Sequence, residues 1–139
     1  MKKVIIAGSG SLREKWLERK KRREEKGYEV LNYPKNLEWE NIHNEYRDLY
    51  VNFFTDLMKA DIFFLMNEDK KWVEWYIGME SFAELWFATV QKVVNNKPID
   101  IFILKIPSKA IGCYDEIKIR KELWWINVLE SNKFTKEVS

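Results

Sequence analysis

The sequence predicts a single α/β domain built on a parallel sheet, and three observations lead there. Short β-branched and aromatic runs recur at "KKVIIAG", "YEVLNYP", "DIFFLMN" and "IDIFILKIP". They read as strands buried on both faces, because they lack the polar alternation of a half-solvated sheet. Between them lie stretches free of breakers or with apolar residues at steps of three and four, which read as helices. Strand and helix then alternate along the whole chain, and that pattern predicts a parallel sheet with helices on both faces. With four or five strands, a flavodoxin-like doubly wound order is the most economical arrangement.

Each element follows from its residues. "KKVIIAG" ends in Gly8 and forms the first strand. "SLREKWLERKKRREEK" has no breaker before Gly27, which suits a helix stop. Its apolar set is only Leu12, Trp16 and Leu17, so its charged C-terminal half is expected to stand in water. "YEVLNYP" is a second strand closed by Pro34. Residues 36–40 read as loop. In "NIHNEYRDLYVNFFTDLMKA", Ile42, Tyr46, Leu49, Tyr50, Phe53, Phe54, Leu57 and Met58 mark one helical stripe. "DIFFLMN" is the third strand, a helix follows from about Gly78 to Asn95, and "IDIFILKIP" is the fourth strand, ended by Pro107. "GCYDEIKIRKEL" reads as a last helix, "WWINVLE" as a fifth strand or an irregular tail, and residues 129–139 as a frayed end.

Composition narrows the function. The 139 residues suit one domain spanning 1–139, and 46% hydrophobic against 33% charged residues allows a core with a soluble surface. A net charge of +2 is too small to argue for nucleic acid, and none is expected as a partner. A lone cysteine, Cys113, excludes an internal disulfide framework and any multi-Cys metal site, and fits a reducing cytoplasm. His43 is the only histidine, so zinc and a Ser–His–Asp triad have little to build on. No metal and no cofactor are expected. The apolar run Val4 to Ala7 is too short for a signal peptide, and no run approaches membrane-spanning length. The 7 Trp, 6 Tyr and 8 Phe fit dense core packing, an aromatic-lined pocket or a subunit interface.

In an open parallel sheet the ligand crevice lies at the carboxyl ends of the strands. Four groups should therefore converge: Gly8, Ser9, Gly10 and Ser11; residues 32–35; Asn67, Glu68, Asp69 and the loop to Gly78; and residues 105–108. "GSGSLR" offers backbone N–H groups and hydroxyls to an anion at a strand-to-helix turn, although it is neither G-x-G-x-x-G nor a Walker A loop. Ser9 or Ser11 capping the helix is the simpler reading, and the two are compatible. Glu84 is the leading catalytic candidate. "SFAE" matches a capping box, in which Glu84 would fold back on its own helix. Alternatively Glu84 points from the first turn into the crevice as a partly desolvated nucleophile, with Phe82 or Trp86 as an apolar wall. Glu80, one turn earlier, competes for the role.

The blocks "VIIAGSGS", "KGYEVLNYP", "KADIFFLMNEDK", "YIGMESFAELWFA" and "NKPIDIF" resemble, in order, those of the nucleoside 2-deoxyribosyltransferase-like family, which includes deoxynucleotide N-glycosidases. The resemblance covers roughly residues 3–104. The block from Tyr76-Ile77-Gly78 through Glu84 to Ala88 is its most specific part. It implies that Glu84 attacks the anomeric carbon of a 2′-deoxynucleoside or its 5′-monophosphate, giving a covalent intermediate with retention. It further implies that Gly8, Ser9, Gly10 and Ser11 hold the 5′ end. Asn67, Glu68 and Asp69 would contact the base, and Tyr76 and Gly78 would join the binding set. An active site shared between subunits of a homo-oligomer is also implied. Four positions depart from the family pattern: Ile5 stands where transferases often carry Tyr, Asn67 where they often carry Asp, and Trp72 and Trp75 where smaller residues are usual. An amide cannot donate a proton as a carboxylic acid can, so hydrolysis and a noncatalytic nucleotide-binding or interaction module stay open beside base exchange.

Overall fold

The structure is a computed structural model that describes residues 1–8, 13–35, 39–67 and 76–129. In chain order the elements are β1 (Lys3–Ala7), α1 (Arg13–Glu25), β2 (Glu29–Asn32), α2 (Ile42–Leu57), β3 (Ile62–Leu65), α3 (Met79–Val93), β4 (Asp100–Ile103), α4 (Tyr114–Glu122) and β5 (Asn127–Val128), with one 3₁₀ turn at Trp39–Asn41 leading into α2. All pairings are parallel and the strand order is β2-β1-β3-β4-β5, a flavodoxin-like doubly wound sheet. The stretch "WWINVLE" thus supplies a fifth strand, pairing Phe102 with Asn127 and Ile103 with Val128.

Alternation along each strand divides the core in two. Ile5 and Ala7 of β1, Phe63 and Leu65 of β3, and Ile101 and Ile103 of β4 face one side, where Leu57 of α2, Leu85 and Ala88 of α3 and Ile117 of α4 cover them. Val4, Ile6, Ile62 and Phe64 face the other, where Trp16 of α1 packs. The register sets Ala7, Leu65 and Ile103 side by side, so β1, β3 and β4 end level at their carboxyl edge.

Two details of α1 differ from expectation. Leu17 is exposed, and Trp16 alone of the described apolar pair is buried. The charged half does not stand wholly in water: Arg23 is 1% exposed, with its guanidinium 4.0 Å from the Phe64 ring centre. Arg23 falls seven residues after Trp16, two helical turns, and so on the same face. Its stem fills space that the apolar set leaves empty. Gly27 stops α1 with a φ of 89°, as its left-handed geometry requires.

No helix among the described residues is long and apolar enough to cross a membrane.

Candidate active site

A cavity of about 210 Å³ opens at the carboxyl ends of β1 and β2, between α2 and α3. Ala7 and Gly8 form its floor after β1. Asn32, Tyr33, Pro34 and Lys35 contribute from the end of β2. One wall is the face of α2 that carries Tyr46, Leu49, Tyr50, Phe53 and Phe54; the other is Glu80, Ala83 and Glu84 of α3. Gly8 is required at its position. A Cβ there would meet the Met66 carbonyl oxygen at 3.0 Å, because the chain leaving β1 runs hard against β3.

Glu84 reaches this cavity because α3 starts earlier than the capping-box reading requires. The N-cap is Gly78, whose carbonyl accepts the Phe82 N–H at 2.9 Å. Ser81 therefore lies inside the first turn, and Glu84 falls in the second turn rather than the first. The capping-box role is excluded. The apolar wall also differs from expectation. Residues two apart on a helix point to nearly opposite sides, so Phe82 and Trp86 turn away from the face of Glu84. They meet Arg120 of α4 instead, with its guanidinium 4.5 Å from the Trp86 ring centre and its Nη1 donating to Thr89 Oγ1 at 2.9 Å. The aromatic wall is the stripe of α2, where Tyr50 packs tilted against Phe54 with ring centres 4.7 Å apart and Phe54 meets Phe87 edge-on at 5.0 Å.

The electrostatics follow from this packing. Burial against the aromatic stripe, and then the Glu80 carboxylate one turn away, push the Glu84 carboxyl up to about 8. Tyr46 Oη donates a hydrogen bond to Glu80 Oε1, tying α2 to α3 across the cavity. That bond, followed by burial and the charge of Glu80, holds the Tyr46 phenol above its ordinary range. Lys35 Nζ lies 4.9 Å from the centre of the Tyr33 ring. Asn32 Nδ2 donates to Asp56 Oδ2 at 2.9 Å, which pins the end of β2 to α2.

The remaining expected site residues divide into three groups. Gly8 lines the cavity. Ser9, Gly10, Ser11, Glu68 and Asp69 lie outside the described residues. Asn67, Tyr76 and Gly78 are described and are not part of the cavity lining. Asn67 is fully buried, and its amide clamps β3 to β4: Nδ2 donates to the Lys105 carbonyl at 2.6 Å, while Oδ1 accepts from Leu104 N at 2.9 Å and Lys105 N at 3.4 Å. Residues 105–108 likewise fall outside the cavity, so two of the four strand-end groups line it among the described residues. Tyr76 folds over Gly78, where an added Cβ would stand 3.4 Å from the ring.

The residues that sequence reasoning missed are Tyr46 and Tyr50. Both belong to the amphipathic stripe of α2, where the spacing marks them only as apolar positions. They are 43% and 54% exposed, which a phenol with a polar tip tolerates at a cavity rim. A hydroxyl-bearing ring repeated one turn apart at the N-terminal end of an apolar stripe was the available signal. No group of His, Cys, Asp or Glu among the described residues is placed to hold a metal.

The chain matches no known protein family, no curated protein and no solved structure.

Proposed function

We propose that the protein cleaves the N-glycosidic bond of a 2′-deoxynucleoside or its 5′-monophosphate, or transfers the deoxyribosyl group, with Glu84 as nucleophile. One observation carries this reading: a partly buried carboxyl group on α3 faces a cavity at the carboxyl ends of the strands, walled by aromatic rings. An ionised Glu84 would attack C1′ while the C1′–N bond breaks and its electron pair leaves with the base. The resulting deoxyribosyl ester would pass to water or to a second base, with retention overall. The aromatic wall limits water, so the carboxylate is poorly solvated and more nucleophilic when charged. Gly8, with Ser9, Gly10 and Ser11, would hold the 5′ end, and Glu68 and Asp69 would meet the base. Tyr76 and Gly78 would set the start of α3 rather than touch the ligand. The resemblance of the Tyr76–Ala88 block to nucleoside 2-deoxyribosyltransferase-like proteins supports the same assignment.

The test is release of free base from a panel of deoxynucleosides and deoxynucleoside monophosphates. Base release by the wild type and its loss in Glu84→Gln would support the reading; no release from any member would end it. A second reading, a nucleotide-binding module without turnover, is favoured by one observation. Asn67, the position where a proton donor is expected, is committed to the backbone just past the end of β4, at Leu104 and Lys105. It predicts tight nucleotide binding without base release. The enzymatic reading also takes the protein to be a cytoplasmic homo-oligomer without cofactor or nucleic acid, and sedimentation of the purified chain would check the assembly.

A further inference from the structure

Glu80 and Glu84 occupy one face of α3, four residues apart, and line one cavity. Carboxylates at this spacing have Cβ atoms roughly 5–6 Å apart and repel one another. A site that needs one nucleophile gains nothing from a second carboxylate free to compete for the same carbon. Glu80 is not free. It accepts the hydrogen bond of Tyr46 Oη, from the opposite wall.

We propose that Tyr46 and Glu80 form a positioning couple for Glu84. The phenol of α2 anchors the Glu80 carboxylate, which keeps Glu80 off the reacting carbon and fixes a negative charge one turn from the nucleophile. The inference rests on Glu84 being that nucleophile. Neither Tyr46 nor Glu80 forms or breaks a covalent bond in it. Other titratable groups face the same space: Tyr50 from α2, and Tyr33 and Lys35 from the end of β2. Of all of these, only Glu80 adds a charge effect to that of burial on Glu84. Tyr46 in turn senses both carboxylates, Glu80 more strongly than Glu84. The couple thus connects three side chains on two helices. It delays ionisation of Glu84 and leaves that carboxyl, of the two on α3, to turn toward a sugar. A fixed charge beside C1′ also suits the positive character that develops there as the base departs.

Two measurements test this. Carbon-13 carboxyl NMR of the ligand-free protein follows the titration of Glu84 without needing activity. Glu80→Gln should lower its midpoint, and the first unit of that fall raises the ionised fraction at pH 6 about tenfold. An unmoved midpoint would overturn the proposal. Kinetics supply the second arm. Glu80→Gln should carry the acid limb of the rate profile to lower pH, and Tyr46→Phe should lower kcat with KM unmoved. Adding Tyr46→Phe to Glu80→Gln should change kcat no further, because the charge to be anchored is gone. Additive losses would show Tyr46 acting directly and overturn the couple. A wild type that releases no base removes the glycosidase reading and the catalytic half of the couple. The NMR titration still decides separately whether Glu80 acts on Glu84.

Discussion

Each side of the sheet holds an ionisable side chain largely out of water, Arg23 fully and Glu84 in part, and the chain treats them differently. On the side of α2 and α3, Glu84 faces a cavity, with Glu80 and Tyr46 beside it. On the side of α1, Arg23 lies flat over Phe64, with its Nη1 donating to the Arg19 carbonyl at 3.2 Å and its Nε and Nη2 without a hydrogen-bond partner among the described residues. Burial, reinforced by Arg19 and Arg22, lowers Arg23 to about 9, as burial raises Glu84. Both charged forms lose hydration. Of the two, Glu84 alone lines the cavity described above, in which a ligand can restore what was lost. A buried charge is therefore not by itself a candidate site; a partly buried carboxyl on a cavity wall is one.

The comparison breaks most sharply at Glu84. Glu84→Gln should lower base release by about three orders of magnitude or more, while nucleotide affinity measured by calorimetry stays close to wild type. Equal turnover in the two proteins would make Glu84 no more functional than Arg23. Asn67 provides the next largest effect, this time on stability. Asn67→Ala strips a buried amide from the β3–β4 clamp and should cost roughly 2–4 kcal/mol in urea unfolding, leaving Leu104 N without its acceptor. Nucleotide affinity should not change; a selective loss of affinity with stability intact would place Asn67 in the ligand site after all.

The pH dependence of stability sharpens the contrast. Glu84 is an acid whose folded pKa is raised from 4.5 to about 8. The folded state holds its proton more tightly than the unfolded one, so this group costs nothing below about pH 4.5. Its penalty grows as pH rises and is complete above about 8. Glu84→Gln should match wild type at pH 4 and exceed it at pH 9 by on the order of 1–3 kcal/mol, after discounting for partial exposure. Chemical denaturation at the two pH values reads this directly, and a constant difference between them would refute it. The smallest effect belongs to Arg23. Arg23→Met removes an under-bonded charge and its contact with Phe64 together, so stability at pH 7 should change by no more than about 1 kcal/mol. A loss several times larger would mean that the guanidinium is the better-satisfied of the two groups.

Much of the fold was legible because its signals are local. Runs such as "KVIIA" and "IFFL" have no polar face to offer water, so they had to be interior strands wherever the helices lay. Gly8, Gly27, Pro34 and Pro107 marked ends that backbone geometry imposes. The site was legible in part. Residues 32–35 and Gly8 were placed at the crevice by the rule for strand ends, and Glu84 by its helix. The spacing Ser-x-x-Glu misled at the start of α3, since Gly78 begins the helix three residues before Ser81. Phe82 and Trp86 were assigned to the wrong side although helical spacing alone, two residues to either side of Glu84, turns them away from it.

By itself the sequence determined the order and kind of elements, the parallel sheet and the burial of its central strands β1, β3 and β4, because hydrophobic periodicity and chain breakers act within a few residues. The edge strand β2, read as buried, is exposed at Glu29 and half-buried at Val30 and Leu31. Only the tertiary structure decided which strand-end groups meet. Asn67 and Glu84 are both reasonable site residues in a linear reading. Packing turned one inward to satisfy the backbone between β3 and β4 and left the other facing a cavity. It also brought Tyr46 to Glu80 across 34 residues of chain. Such pairings depend on where α2 and α3 come to rest on the sheet, and that is set by the summed burial of many side chains rather than by any one stretch of sequence.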